Sequence, residues 1–193
     1  MINSKADYIS YLNQDQKAHG IKPMSLTEKI VRYVSPNPIW IFQKTMRKLE
    51  YYNNCKNNGV NKIYILFLKY KFKKISLKLG FSIPINVFGP GLNIVHYGTI
   101  VINNNAKIGS NCRMHACVNI GASGGEKGAP QIGDNVYIAP GAKIYGDIKI
   151  ASNIAIGANA VVNKTFSEEH IVLGGIPAKP IGQVDIKRII KHI

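Results

Sequence analysis

The spacing of hydrophobic residues changes along this chain of 193 residues, close to Gly80. Before Gly80, apolar residues recur at intervals of three and four, which is typical of helices with one buried face. Ser25, Asn37 and Asn61 are residue types that favour helix starts. The pattern therefore predicts four short helices, over residues 6–19, 26–34, 38–55 and 61–79.

The predicted helix 38–55 has one apolar stripe and one cationic face. We expect the stripe to be buried, and it consists of Ile39, Phe42, Met46 and Leu49. We expect the other face to be solvated, and it carries Lys44, Arg47 and Lys48. Trp40 is predicted to lie in the core or in an interface rather than at a ligand.

After Gly80, an apolar residue returns at every sixth position. These positions are Ile102, Ile108, Met114, Ile120, Ile132, Ile138, Ile144, Ile150, Ile156 and Val162, with one gap after Ile120. Most are followed four residues later by a second small or apolar residue: Ala106, Cys112, Val118, Val136, Ala142, Ile148, Ile154 and Ala160. Gly, Asn and Asp fill the intervening turns, since tight corners need residues that tolerate unusual backbone angles. Such a period predicts a parallel β-helix.

This repeat, with the closing segment "VVNKTFSEEHIVLGGIPAKPIG", resembles the hexapeptide-repeat acyltransferases over Gly80 to about Gly182. The resemblance implies a mainly β fold, a left-handed parallel β-helix behind an N-terminal α-helical region. We divide the chain into an N-terminal helical region (1–79), a left-handed β-helix acyltransferase domain (80–182) and a basic C-terminal tail (183–193). The resemblance also implies acetyl-CoA as co-substrate, bound between neighbouring chains of a homotrimer, with a dimer of trimers left open.

Two histidines lie within the repeat. The segment "VHYGTIVI" resembles "DHATGIVI" of the serine acetyltransferase subgroup, whose histidine is the general base, and this assigns the catalytic role to His96. An imidazole pKa near 6.5 suits proton transfer between a hydroxyl and a leaving thiolate. His115 has no counterpart in the serine enzymes but suits related enzymes that modify surface sugars, where it would orient the base or the acceptor. The alternatives, an inward filler at His96 and an exposed imidazole at His115, stay open.

The resemblance also assigns contacts to acetyl-CoA. The segment "GASGGEKGAPQ", residues 121–131, resembles the glycine-rich loop beside the acyl donor, and Gly121 and Ala122 would let the pantetheine arm approach the backbone. The remaining contacts that motif position assigns are Pro140, Ala158, Asn163, Lys164 and Lys179. The histidines lack companion ligands at metal-binding spacing, so no metal is expected.

Two departures from the serine enzymes bear on the acceptor. Ser82 of "FSIPI" stands where those enzymes have the aspartate of "IDIHP", and Ala129 of "GAPQI" stands where they have the histidine of "HPKI". Both departures remove groups that handle a small amino acid. We therefore predict an O-acetyltransferase that acts on a sugar hydroxyl of a surface polysaccharide (capsule or O-antigen) or its precursor. Serine O-acetyltransferase of cysteine biosynthesis and a non-catalytic β-helix scaffold are the alternatives.

Positive charge is concentrated at the front of the chain. Residues 1–79 carry 15 Lys and Arg against four Asp and Glu, and the remainder carries ten against six. We interpret this positive charge as a solvated helix face. An anionic lipid or an acidic glycan is an alternative partner, and nucleic acid is excluded because no nucleic-acid-binding motif accompanies the charge. Without a signal peptide or a long apolar run, we expect a cytoplasmic protein, with peripheral association at the inner membrane face left open. The three cysteines are expected to be reduced and mostly buried.

Overall fold

The computed structural model describes residues 1–21 and 36–193. Within these ranges, three α-helices precede the strands: α1 (Lys5–Ala18), α2 (Pro38–Cys55) and α3 (Asn61–Leu79). They agree with three of the four helices that the pattern predicts. The predicted helix 26–34, with its Ser25 start, lies outside the described residues.

The ends of the helices follow from local chemistry. Asn37 starts α2, because its side-chain oxygen accepts hydrogen bonds from the amides of Ile39 and Trp40. Gly80 ends α3 in the left-handed conformation, with φ of 74°, which a residue without Cβ adopts without strain. The change of period near Gly80 therefore marks a real boundary between helix and strand.

A series of short strands follows Gly80. They are β1 (Phe81–Ser82), β2 (Asn93–Ile94), β3 (Ile100–Ile102), β4 (Lys107–Ile108), β5 (Arg113–Met114), β6 (Asn119–Gly121), β7 (Gln131–Ile132), β8 (Tyr137–Ile138), β9 (Lys143–Tyr145), β10 (Lys149–Ile150), β11 (Ala155–Ile156), β12 (Val161–Val162), β13 (Ile171–Gly174) and β14 (Lys179–Gln183). A short 3₁₀ helix, Ile186–Arg188, comes after them.

The strands form three parallel faces of a prism. Face 1 has the order β1-β3-β6-β9-β12, face 2 has β10-β7-β4, and face 3 has β14-β13-β11-β8-β5-β2. Within face 3, β14 alone pairs antiparallel, with β13, and this hairpin closes the last coil. The predicted mainly β architecture, a parallel β-helix behind an N-terminal helical region, is confirmed.

The length of each coil can be read from the register. Lys143 pairs with Val161, which lies three six-residue repeats further along the chain. Asn119 pairs with Lys143, which lies four repeats further along, so the coil between them holds one repeat more than its neighbours. The extra repeat falls between β6 and β7, and the glycine-rich segment therefore leaves the coil as a loop.

The β-helix interior consists of the periodic residues. All ten apolar residues of the six-residue period are buried, from Ile102 to Val162, and so are the eight that follow them by four positions. At one corner Asn111, Asn135 and Asn153 adopt φ of 57°, 56° and 59°, and their side chains hydrogen-bond in a column. Asparagine tolerates this left-handed conformation better than most residues, which explains the recurring Asn in the repeat.

The helices are attached to the first coil by a buried polar network. The Asp15 carboxylate accepts hydrogen bonds from the amides of Gly91 and Leu92 and from the guanidinium of Arg47. Arg47 also donates to Glu50 and to two backbone carbonyls, those of residues 88 and 89. Because Arg47 is fully buried, its predicted place on a solvated face is wrong. The apolar stripe of α2 and Trp40 are buried, as predicted.

The last residues of the chain pack against face 3. Ile186 and Ile190 are buried beside Ala155, and Arg113 donates a hydrogen bond to the carbonyl of Ile189 at 2.8 Å. The basic residues 183–193 thus cover part of the β-helix surface.

The three cysteines are all free thiols. Cys112 is buried, Cys55 is half-buried and Cys117 is exposed. The expectation of mostly buried thiols therefore holds only for Cys112. Across residues 1–21 and 36–193, none of the helices combines the length and the apolar character needed to cross a bilayer.

Candidate active site

His96 and His115 meet at one corner of the prism. This corner, which we call the histidine corner, comprises the turns that follow the face 3 strands, residues 95–99, 115–118, 139–142 and 157–160. Strand β2 pairs with β5, with Ile94 opposite Met114, and the two histidines lie just beyond this pair. Their ring centroids are 5.7 Å apart, with an angle of 51° between the ring planes. The coil joining them is slightly longer than three repeats, and the predicted proximity is observed.

The two imidazoles differ in their surroundings. His96 is exposed, and among the described residues none forms a hydrogen bond with its ring. His115 is half-buried, and its Nε2 is buried without a hydrogen-bond partner. A buried polar atom without a partner is uncommon in folded proteins, and a ligand can supply the missing bond. His96 is therefore not an inward filler, and His115 is not a freely exposed imidazole.

The electrostatic environment favours the neutral form of His115. Burial lowers the pKa of His115, and the nearby Arg113 and His96 lower it further, because each disfavours a second positive charge. Tyr137 packs edge-on against His115, with ring centroids 5.5 Å apart. A neutral imidazole can accept a proton or a hydrogen bond at one nitrogen and donate at the other.

Sequence reasoning missed Arg113 and Tyr137 as neighbours of the pair. They are partners in the register between β5 and β8, four repeats apart in sequence, and the Nε of Arg113 is also buried without a partner. Each of the two directly precedes an inward-facing residue of a face 3 strand, and this position in the repeat is the sequence feature that could have identified them. The long coil that contains the loop separates them in sequence, so the regular spacing alone did not align them.

Six of the seven predicted acetyl-CoA contacts divide between two corners. Pro140 and Ala158 lie in the histidine corner, where the amide of Gly141 donates to the carbonyl of Ala116 and the amide of Asn159 donates to the carbonyl of Pro140. These hydrogen bonds stack the successive turns into one column. Pro140 and Ala158 are exposed, so their surfaces continue the corner from the histidines along the prism.

Four of the other predicted contacts lie along the opposite edge of face 1, whereas Lys179 lies on face 3. We call this edge of face 1 the loop corner, and it comprises residues 103–106, 122–130, 146–148 and 163–165, the turns that follow the face 1 strands. It contains Ala122, Asn163 and Lys164, and Gly121 precedes it as the last residue of β6. Lys179 is exposed at the start of β14. A single chain thus presents two sets of predicted contacts, separated by the width of one face.

The two positions that depart from the serine acetyltransferase pattern have different settings. Ser82 is exposed on β1 and pairs with Val101 of β3. Ala129 is 2% exposed and packs in the β-helix core. In the part of the chain that the structure describes, no group of three His, Cys, Asp or Glu side chains is arranged to hold a metal ion.

Residues 129–164 match the bacterial transferase hexapeptide family, described as six repeats. Over these 36 residues the chain is similar to the bacterial hexapeptide transferases. Among curated relatives, the serine acetyltransferase of Staphylococcus aureus (strain Mu50) is 42% identical over 101 residues, which cover 51% of this chain and 47% of the relative. The chain therefore spans about half the length of the curated relatives that it matches.

Solved structures show the same fold. The serine O-acetyltransferase from Brucella melitensis superposes with a TM-score of 0.70 at 23% identity, covering 93% of this chain and 71% of that one. The serine acetyltransferase of Neisseria gonorrhoeae in complex with serine gives a TM-score of 0.66 at 25% identity, covering 93% and 71%. This confirms the prediction of a left-handed β-helix with N-terminal helices.

The comparisons correct the predicted function. The homologues are named serine acetyltransferase, which agrees with an acyltransferase that uses acetyl-CoA. The prediction of a polysaccharide O-acetyltransferase is wrong, because the matched relatives carry the name of the alternative. The prediction rested on two positions, Ser82 and Ala129, whereas the identity to the serine acetyltransferase extends over 101 residues.

Proposed function

We propose that this protein is an acetyl-CoA-dependent serine O-acetyltransferase with His96 as its general base. The observation that carries the proposal is the 42% identity to the Staphylococcus aureus serine acetyltransferase over 101 residues. The Neisseria gonorrhoeae relative, at 25% identity, is a complex with serine, which supports the same acceptor here. The exposed His96 beside a half-buried His115 supplies the groups that acyl transfer needs.

Acetyl-CoA supplies an activated acetyl thioester. In the proposed reaction, His96 removes the proton from the serine hydroxyl, so that this oxygen can attack the thioester carbonyl. A carbon–oxygen bond forms, the carbon–sulfur bond breaks, and His96 returns the proton to the departing thiolate. The products are O-acetyl-L-serine and the CoA thiol, and no other reactant is consumed.

His115 is proposed as a positioning residue. Its buried Nε2 has no partner within the described residues, and its ring lies 5.7 Å from that of His96, centroid to centroid. Because burial and Arg113 disfavour its protonation, His115 does not place a second cation beside the base. It can instead hold the acceptor by a hydrogen bond while His96 moves the proton.

The division of the predicted acetyl-CoA contacts supports a homotrimer. Pro140 and Ala158 lie in the histidine corner, and Gly121, Ala122, Asn163 and Lys164 lie at or beside the loop corner, so these six form two walls on opposite edges of face 1. Lys179 lies apart from the loop corner, on β14 of face 3. If the histidine corner of one chain faces the loop corner of the next, both walls line one groove. We propose this arrangement for acetyl-CoA binding, and light scattering should give three times the mass of the chain, or a multiple of it.

The acceptor test measures thiol release from acetyl-CoA by the purified full chain. L-serine should support turnover, whereas L-alanine, which lacks only the hydroxyl, should not. A panel of nucleotide sugars should also be inactive. Turnover with a sugar but not with L-serine would overturn the proposal, and so would release that no acceptor stimulates.

A further inference from the structure

Helix α3 exposes an apolar stripe on the side that faces away from the protein. Ile63, Leu66, Phe67, Tyr70 and Leu77 are between 55% and 79% exposed. Their spacing of three, four and seven residues places them along one side of the helix. We call this surface the outer face of α3. Contiguous exposed apolar surface of this kind marks an interaction site more often than scattered single residues do.

The opposite side of α3 already has its partner. Ile65, Leu68, Ser76 and Leu79 are buried, and Phe72 stacks on Phe42 of α2 with ring centroids 5.2 Å apart. The helix is therefore seated on the protein by one apolar side. The outer face is a second apolar side, which remains exposed within residues 1–21 and 36–193.

Lysines border the outer face on both sides. Lys62, Lys69 and Lys73 follow one edge, Lys71 and Lys78 follow the other, and Lys74 lies between them, by their positions on the helix. All six are exposed, and the sequence of α3 contains no Asp or Glu. An apolar stripe between two rows of lysines is the pattern of a helix that lies in the plane of a membrane interface.

We propose that the outer face of α3 docks on an anionic lipid bilayer. The apolar side chains would enter the boundary between headgroups and acyl chains, while the lysines would contact the negatively charged headgroups. The charge of the whole chain, +15, adds long-range attraction to such a surface. The sequence alone left the basic front open between several partners, and the outer face selects this one.

Charge also favours a lipid surface over a second copy of the chain as the partner of the outer face. A symmetric contact between two outer faces would bring six lysines against six lysines, with no carboxylate on α3 to compensate. Nucleic acid would satisfy the lysines but not the apolar stripe at their centre. A lipid surface is complementary to both parts.

The experiment measures co-sedimentation of the full chain with vesicles. One set contains phosphatidylcholine only, and the other adds about 30% phosphatidylglycerol to give a negative surface. The protein should sediment with the anionic vesicles and not with the neutral ones. Raising the salt from about 0.1 M to about 1 M should weaken binding, because the shorter screening length reduces the attraction to the lysines.

Matched variants test the two parts of the face. Lys69→Gln/Lys73→Gln/Lys74→Gln should weaken binding roughly 100-fold, at a factor of about five per lysine. Three exposed lysines elsewhere provide a control of equal charge: Lys149→Gln/Lys187→Gln/Lys191→Gln. This control should retain most of the affinity.

The apolar part has its own pair of variants. Leu66→Gln/Phe67→Gln should reduce vesicle binding, while Ile9→Gln/Ile181→Gln, at two exposed isoleucines elsewhere, should not. A Phe67→Trp variant should show a blue shift of its emission with anionic vesicles that exceeds any shift of Trp40 in the wild type. This readout reports insertion into the bilayer rather than adsorption by charge alone.

Three results would overturn the proposal. The wild type could stay in the supernatant with anionic vesicles, or both lysine triples could weaken binding equally, which would mean that charge acts without a specific face. Alternatively, Leu66→Gln/Phe67→Gln could split a larger assembly in light scattering while leaving vesicle binding unchanged, which would assign the outer face to a contact between copies. The measurement uses no acetyl-CoA or serine, so its outcome is independent of the proposed activity.

Discussion

Replacing Arg47 tests whether the helices hold the first coil of the β-helix in place. Arg47 is fully buried and donates five hydrogen bonds, to Asp15, Glu50 and the carbonyls of Phe88 and Gly89. Burial opposes its charge, but the two carboxylates more than offset this and hold the pKa of Arg47 above its ordinary value. The substitution Arg47→Met keeps the volume of the stem and leaves both carboxylates buried without their cation.

The expected loss is about 3–5 kcal/mol in the free energy of unfolding, the usual cost of removing one partner from a buried ion pair. Equilibrium urea unfolding at a fixed protein concentration measures it, since association would otherwise shift the midpoint. Lys44→Met, an exposed cation three residues earlier on α2, is the matched control and should cost about 0–1 kcal/mol.

A second variant separates the ion pair from general loss of packing. Adding Asp15→Asn to Arg47→Met removes one of the stranded charges, so the double variant should be less unstable than the sum of the two single changes. A loss below about 1 kcal/mol for Arg47→Met, or strict additivity, would refute the role assigned to the network. Because Asp15 also binds the amides of Gly91 and Leu92, just before β2, we expect Arg47→Met to lower activity as well.

Three further predictions concern the β-helix. Since the folded state lowers the pKa of His115, the unfolded chain takes up a proton there first, and stability should fall from about pH 7 to about pH 5; thermal unfolding of His115→Gln should show a smaller fall. Gly141 has φ of 77°, and an added methyl group would overlap the side-chain oxygen of Asn159. Gly141→Ala should therefore cost about 1–3 kcal/mol, against almost nothing for Gly182→Ala, which has open space. Burial raises the pKa of Cys112 to about 12, so mass spectrometry should find no alkylation of this thiol until the protein unfolds.

The repeat could be predicted from sequence because it is local and regular. Each inward residue of the β-helix recurs at a fixed interval, so a count along the chain identified the core from Ile102 to Val162. The proximity of His96 and His115 followed from the same count, although the coil between them is slightly longer than three repeats. The loop of residues 121–131 kept the period in phase, and only the register shows that it leaves the coil.

Contacts between distant segments could not be predicted in this way. Arg47 falls on the same side of α2 as two lysines, and nothing nearby in sequence indicates that its partner is Asp15, 32 residues earlier. The substrate prediction failed for a different reason. It inferred the acceptor from two positions, Ser82 and Ala129, whereas the identity to the serine acetyltransferase extends over 101 residues.

The central claim is that His96 activates the hydroxyl of L-serine for attack on acetyl-CoA, and kcat/KM for L-serine in wild type and His96→Asn tests it most directly. Because His96 is exposed and its ring has no hydrogen bond among the described residues, the substitution should leave the unfolding temperature unchanged. We predict that kcat/KM falls by about 10² to 10⁴, the usual contribution of a general base. Equal activity of the two proteins, or a wild type that does not acetylate L-serine, would contradict the account.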